Sequence, residues 1–136
     1  MSTQHIIMQQ NEYFLEATHK TPEIKGNIKD GKFTISGKSI PEDARDFYFP
    51  FRNWVLEFIQ TENPDINVTV ELEYFNTSTS SIILDIFKHL LKASEQKSVK
   101  ITWLYDEDDL DIEEAGEDYK LMIGDIITLQ PRKPDY

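Results

Sequence analysis

The sequence predicts one α/β domain built on a mixed sheet with helices mainly on one face. Three observations carry that reading. Residues 66–74 and 99–105 alternate apolar and polar side chains with the period of a half-buried strand. Residues 47–58 and 82–90 repeat apolar side chains at the three- and four-residue spacing of an amphipathic helix. The chain is 136 residues long, enough for one core without a second domain. Its 39% apolar and 12% aromatic content supplies that core, and 29% charge is ordinary for a water-facing surface.

Taken in order, residues 1–20 carry scattered apolar positions (Ile6, Ile7, Tyr13, Phe14, Leu15) and read as an N-terminal arm or edge strand. Asp30-Gly31 is a two-residue hairpin signal, followed by alternation through Phe33 and Ile35, so a strand is expected near 32–37. Pro41, Glu42 and Asp43 open a helix whose acids suit the positive end of its dipole. Phe47, Phe51, Trp54, Val55 and Phe58 form its apolar stripe, and Pro50 predicts a short first turn separated from a longer second helix. Ile66, Val68, Val70, Leu72 and Tyr74 share one side of the next strand. A helix bearing Ile82, Ile83, Ile86, Phe87 and Leu90 leads to the strand at 99–105, an arrangement that normally makes a right-handed parallel crossover. Residues 109–122 read as a third helix, and Ile126, Ile127 and Leu129 as a last strand before a fraying tail at 131–136.

Composition closes several functional classes. Without cysteine there is no disulfide, thiolate metal site or cysteine nucleophile. The N-terminus lacks a basic start followed by a sustained apolar stretch, and no segment is apolar for long enough to span a bilayer. A cytoplasmic chain without membrane insertion is the expectation. The formal charge of −11, from 25 acidic and 14 basic side chains, disfavours nucleic acid and anionic lipid as partners. It suits a protein partner with a basic face, or solubility alone.

Among local motifs, the hydroxyl cluster Asn76-Thr77-Ser78-Thr79-Ser80-Ser81 lies between a strand end and a helix start. A capping hydroxyl alone accounts for such a cluster. A phosphate at this place would also be tolerated, because it meets free backbone donors and the positive end of the dipole. The acidic run Asp106, Glu107, Asp108, Asp109, Asp111, Glu113, Glu114, Glu117 and Asp118 lacks the glycine that a calcium loop needs at its sixth position. It reads as a solvated helix start or a docking patch for a basic partner. His5, His19 and His89 have no second ligand at metal-binding spacing, and Asp85 with His89 lacks the nucleophile turn of a hydrolase. The five glycines are too dispersed to wrap a phosphate, and Trp54 and Trp103 sit on apolar stripes. No cofactor, metal site or catalytic residue is expected, so the chain reads as a non-enzyme.

Five segments in order carry a family resemblance: Thr21-Pro22-Glu23-Ile24, residues 35–42 (ISGKSIPE), residues 72–78 (LEYFNTS), residues 103–109 (WLYDEDD) and residues 114–118 (EAGED). Over residues 21–130 the chain resembles the SiaC family of bacterial regulatory phosphoproteins. The resemblance implies a STAS-like fold of the anti-sigma-factor-antagonist type, with a phosphorylatable threonine at a strand-to-helix junction. That position matches Thr77, with Ser78 and Thr79 as alternative acceptors and Tyr74, Phe75, Asn76 and Ser78 as the docking face beside it. It also implies a dedicated protein kinase, a PP2C-type phosphatase, and a diguanylate cyclase bound and activated by the unphosphorylated form, with a role in cyclic-di-GMP signalling and biofilm formation. An anti-sigma-type partner switch and a constitutive binding module remain the alternatives.

Overall fold

The computed structural model describes residues 6–9 and 11–134; His5, Asp135 and Tyr136 lie outside them. Its elements in chain order are β1 (Ile6–Gln9), β2 (Glu12–Leu15), β3 (Glu23–Asn27), β4 (Lys32–Ser39), α1 (Ala44–Ile59), β5 (Asp65–Phe75), α2 (Thr77–Ala93), β6 (Ser98–Asp106), α3 (Leu110–Ile123) and β7 (Ile127–Arg132). Seven strands form one sheet in that same order. The first four pair antiparallel, and β4 to β7 pair parallel. Each parallel step carries one helix and advances one place in the same direction. Right-handed crossovers of that kind put every helix on the same face.

The covered face holds Phe33, Ile35, Ile66, Val68, Val70, Leu72, Val99, Ile101 and Trp103, all buried. The opposite face is polar, and one row across four strands is threonine throughout: Thr34 pairs Thr69, Thr69 pairs Thr102, and Thr102 pairs Thr128. A β-branched side chain with a hydroxyl suits a pleated surface that meets water. The expected mixed, one-sided sheet is therefore what forms.

Several local expectations change. The segment read as an arm or edge strand contributes two paired strands, β1 at the sheet edge and β2 inside it, and Tyr13 and Leu15 on β2 are buried. Tyr13 packs against Phe51 and Trp54 of α1 at ring separations of 5.3 and 6.0 Å, so the folded unit starts well before residue 21. Gly26 on the next strand leaves room for the same Trp54 ring, which a Cβ would meet at 2.4 Å. The hairpin turn spans four residues, not two: Gly31 N–H reaches the Ile28 carbonyl at 3.1 Å, and Asp30 N–H is held by Asn27 Oδ1 at 3.0 Å. Gly31 itself sits at φ +67°, against the Asp65 carbonyl, where no other residue fits.

Pro50 does not split α1, which runs unbroken from its Asp43 cap. The carbonyl that loses its donor is that of Asp46, an exposed residue, and the buried side chains Tyr48, Phe51, Trp54, Val55 and Phe58 hold both halves in line. Phe51, Trp54, Val55 and Phe58 form the buried stripe as expected, but at its start Tyr48 is buried and Phe47 only half-buried. Tyr74 is 58% exposed and does not belong to the inner side of β5. Gly37 pairs Leu72 but Lys38 pairs Tyr74, so Glu73 is an extra, bulged residue. The bulge inverts the alternation beyond it and turns Phe75 inward against Trp103, 5.9 Å between rings. At the other end the tail begins later than expected, since Pro131 and Arg132 still pair with Tyr105 and Asp106. Arg132 donates to Asp106 Oδ1 at 2.7 Å and also pairs with Glu71.

A second aromatic cluster joins β6 to the other two helices: Trp103 and Phe87 stand 5.3 and 5.2 Å from Tyr119. Trp103 Nε1 donates to the Ile112 carbonyl of α3 at 2.9 Å. That approach depends on Gly116, whose Cβ would lie 2.3 Å from the indole. Gly116→Ala is therefore expected to destabilise the fold by about 1–3 kcal/mol through overpacking, despite alanine's better helix propensity. Urea unfolding followed by tryptophan fluorescence measures it, and an unchanged midpoint would refute the contact.

Candidate functional site

The hydroxyl cluster opens α2, but its cap is a carboxamide. Asn76 Oδ1 accepts the Thr79 N–H at 3.0 Å, Asn76 Nδ2 points to the Pro41 carbonyl at 3.5 Å, and Asn76 N–H reaches the Ser39 carbonyl at 3.1 Å. With the cap supplied by Asn76, the hydroxyls divide into two populations. Thr77, Ser78 and Ser81 are exposed. Thr79 is fully buried, at 0% exposure.

Beneath the exposed residues lies a chain of buried hydroxyls. Tyr48 Oη, Ser39 Oγ and Thr79 Oγ1 are linked at 2.6 and 2.9 Å, and Thr79 Oγ1 donates to the Ser39 carbonyl at 3.1 Å. Each hydroxyl donates once when Tyr48 gives to Ser39 Oγ and Ser39 gives to Thr79. The chain therefore ties α1, the end of β4 and the first turn of α2 together with no donor left over. The Thr79 oxygen is thereby committed within the core, unlike the exposed hydroxyls of Thr77 and Ser78. Ser80 turns the other way, with its hydroxyl 3.1 Å from Tyr119 Oη, which donates to the Ser80 carbonyl at 2.8 Å.

The residues expected beside the switch do gather at one end of the sheet. Tyr74 is exposed on the bulged strand end, Phe75 half-buried on Trp103, Asn76 occupied in capping, and Ser78 exposed. Ser78 lines a cavity of about 620 Å³ between α1 and α2, with Arg45, Tyr48, Phe49, Arg52, Ser81, Ile82 and Asp85. Across this groove Arg52 Nε donates to Asp85 Oδ2 at 2.6 Å, and its guanidinium also lies 3.2 Å from His89 Nε2. Sequence reading paired Asp85 with His89 but missed Arg52, Arg45 and Ser39, which are remote in sequence. Ser39 alone carried a local signal, being in phase with Phe33 and Ile35 on β4.

The acidic run has structural employment. Asp109 caps α3 through the Ile112 N–H at 3.1 Å, Glu113 accepts from Tyr105 Oη at 3.2 Å, and Asp106 holds Arg132. Among the described residues no helix is long and apolar enough to cross a membrane.

The sequence and the fold both have known counterparts. The family model for SiaC family regulatory phosphoproteins matches residues 15–131, and the chain belongs to that family. An uncharacterized protein of Pseudomonas aeruginosa strain UCBPP-PA14 is 25% identical over 111 residues, which cover 81% of this chain and 88% of that protein. SiaC of Pseudomonas aeruginosa is similar in structure with a TM-score of 0.81 at 22% identity, over 92% of this chain and 100% of that one. A chain in the crystal structure of the diguanylate cyclase SiaD in complex with its activator SiaC, from the same species, gives 0.83 at 24% identity, over 88% and 98%. At these identities the structural likeness establishes a common fold.

Burial pushes the Tyr13 and Tyr119 hydroxyls up to about 12, and raises Tyr48 as well. All three stay protonated in the folded state after the unfolded chain has begun to ionise near pH 10. Their stabilisation is thus complete below pH 10 and is lost as pH rises through the folded values. Unfolding free energy is expected to fall from pH 9.5 upward, and Tyr48→Phe to flatten part of that fall. The same variant leaves Ser39 Oγ short of a donor and should cost about 1–2 kcal/mol at neutral pH. Urea titrations across the alkaline range check both, and a Tyr48→Phe protein matching wild type throughout would contradict the hydroxyl chain.

Proposed function

We propose that this chain is a cytoplasmic, phosphorylation-controlled regulator that binds and modulates a diguanylate cyclase while unphosphorylated and releases it when Thr77 carries phosphate. The observation that carries the reading is the state of Thr77: exposed, at the first position of α2, with the cap supplied by its neighbour Asn76. Its hydroxyl is available for modification without loss of a structural bond. Membership of a regulatory phosphoprotein family supports the same reading, as does the occurrence of a similar fold in a complex of a diguanylate cyclase with its activator.

The physical mechanism is local. A phosphate on Thr77 adds about −1.5 to −2 charge units at a docking face that otherwise presents small hydroxyls and Tyr74. The positive end of α2 tolerates that charge, so the domain stays folded and the interface alone changes. The chemistry belongs to a protein kinase and a PP2C-type phosphatase, for which this chain is substrate and not catalyst. Ser78 is the second acceptor on grounds of exposure.

Fragmentation mass spectrometry on the protein from its own host, grown planktonic and surface-attached, is expected to find phosphate on Thr77 in condition-dependent amounts. Thr77→Ala should retain cyclase binding and Thr77→Glu should weaken it at least tenfold in a calorimetric titration, the lower end for a charge mismatch in an interface. Complete peptide coverage with Thr77 unmodified in both conditions would sink the switch.

A further inference from the structure

We infer that the groove between the N-terminal halves of α1 and α2 docks an acidic, amphipathic helix of the partner protein, with Arg45 as its charged anchor. The inference rests on the regulatory reading above and specifies the surface and chemistry through which it works.

Two arginines line the groove, and they differ. Arg52 is bound by Asp85 from the opposite helix and also reaches His89. Arg45 is exposed and carries no ion pair among the described residues. The groove therefore has one uncommitted charge, and it is positive, on a chain whose formal charge is −11. A carboxylate arriving at Arg45 meets its complement on a chain whose net charge otherwise disfavours it, which narrows where an acidic segment can settle.

The apolar half of the recognition stands one helical turn away. Phe49, four residues after Arg45, is 59% exposed on the same cavity wall, and half-buried Ile82 faces it from α2. The walls run from Arg45 to Arg52 and from Ser78 to Asp85, each about 10 Å at 1.5 Å per residue, or two turns. A cleft between two helices with that length and one charge beside one aromatic ring fits a third helix bearing an acid and an apolar residue three or four positions apart. Ser78 stands in the same cleft and Thr77 directly precedes it. A phosphoryl group on that turn is a second anion competing for Arg45, so modification withdraws the anchor as well as adding repulsion.

The test titrates the purified cyclase of the same host with wild type, Arg45→Gln, Phe49→Ala and Thr128→Ala, the last on the open sheet face, at low and high salt. Arg45→Gln and Phe49→Ala should each weaken binding roughly tenfold, as interface anchors do. Arg45→Gln should also flatten the salt dependence, Thr128→Ala should bind like wild type, and all four should share one thermal midpoint. If Arg45→Gln and Phe49→Ala bind like wild type while Thr77→Glu still blocks, the groove is wrong and the regulatory reading stands. If wild type has no affinity for the cyclase, that reading falls and takes the groove with it.

Discussion

Ser39 is the residue on which the arrangement of β4, α1 and α2 depends. It is fully buried, yet its hydroxyl bonds both Tyr48 and Thr79, and its carbonyl accepts from Thr79 and from the Asn76 backbone. Polar groups so deep are stable only when every one is paired, so the three elements can meet in few ways. The bulge at Glu73 belongs to the same constraint. By turning Phe75 inward opposite Ser39, it delivers the chain to Asn76 where a cap can form.

Much of this was legible in the chain itself, and the exceptions have physical causes. Strands β5 and β6 bury alternate residues over most of their length, so period alone declares them. β2 has only four residues, and its burial comes from Phe51 and Trp54, nearly forty positions away. In α1 four aromatics at 47, 48, 49 and 51 leave the phase of the stripe ambiguous, and the rings settle it by fitting against Phe33 and Tyr13. Pro50 shows tertiary packing overriding a local preference. The place of Tyr74 could not be read locally, because the bulge that exposes it is an event of pairing between two strands.

The site divides along the same line. That a helix begins at the hydroxyl cluster follows from the pattern around it. Which hydroxyls face water does not, since Thr79 is withdrawn by Ser39 forty positions earlier. The groove's charge is likewise a product of the fold: Arg52 and Asp85 cancel only because α1 packs on α2, and that cancellation leaves Arg45 distinct.

Proline at position 131 has a consequence for what this sheet can become. At the two ends of β7 the carbonyls of Ile126 and Arg132 accept from the Ile101 and Glu107 N–H groups, so the even-numbered residues face inward to the ladder and the odd-numbered ones face the outer rim. Pro131 is odd. Its missing N–H therefore weakens no bond within the sheet and removes a donor from one of the two rims, β7 and β1, at which an eighth strand from another molecule could attach. The fold is thus protected from growing by edge-to-edge aggregation at that rim.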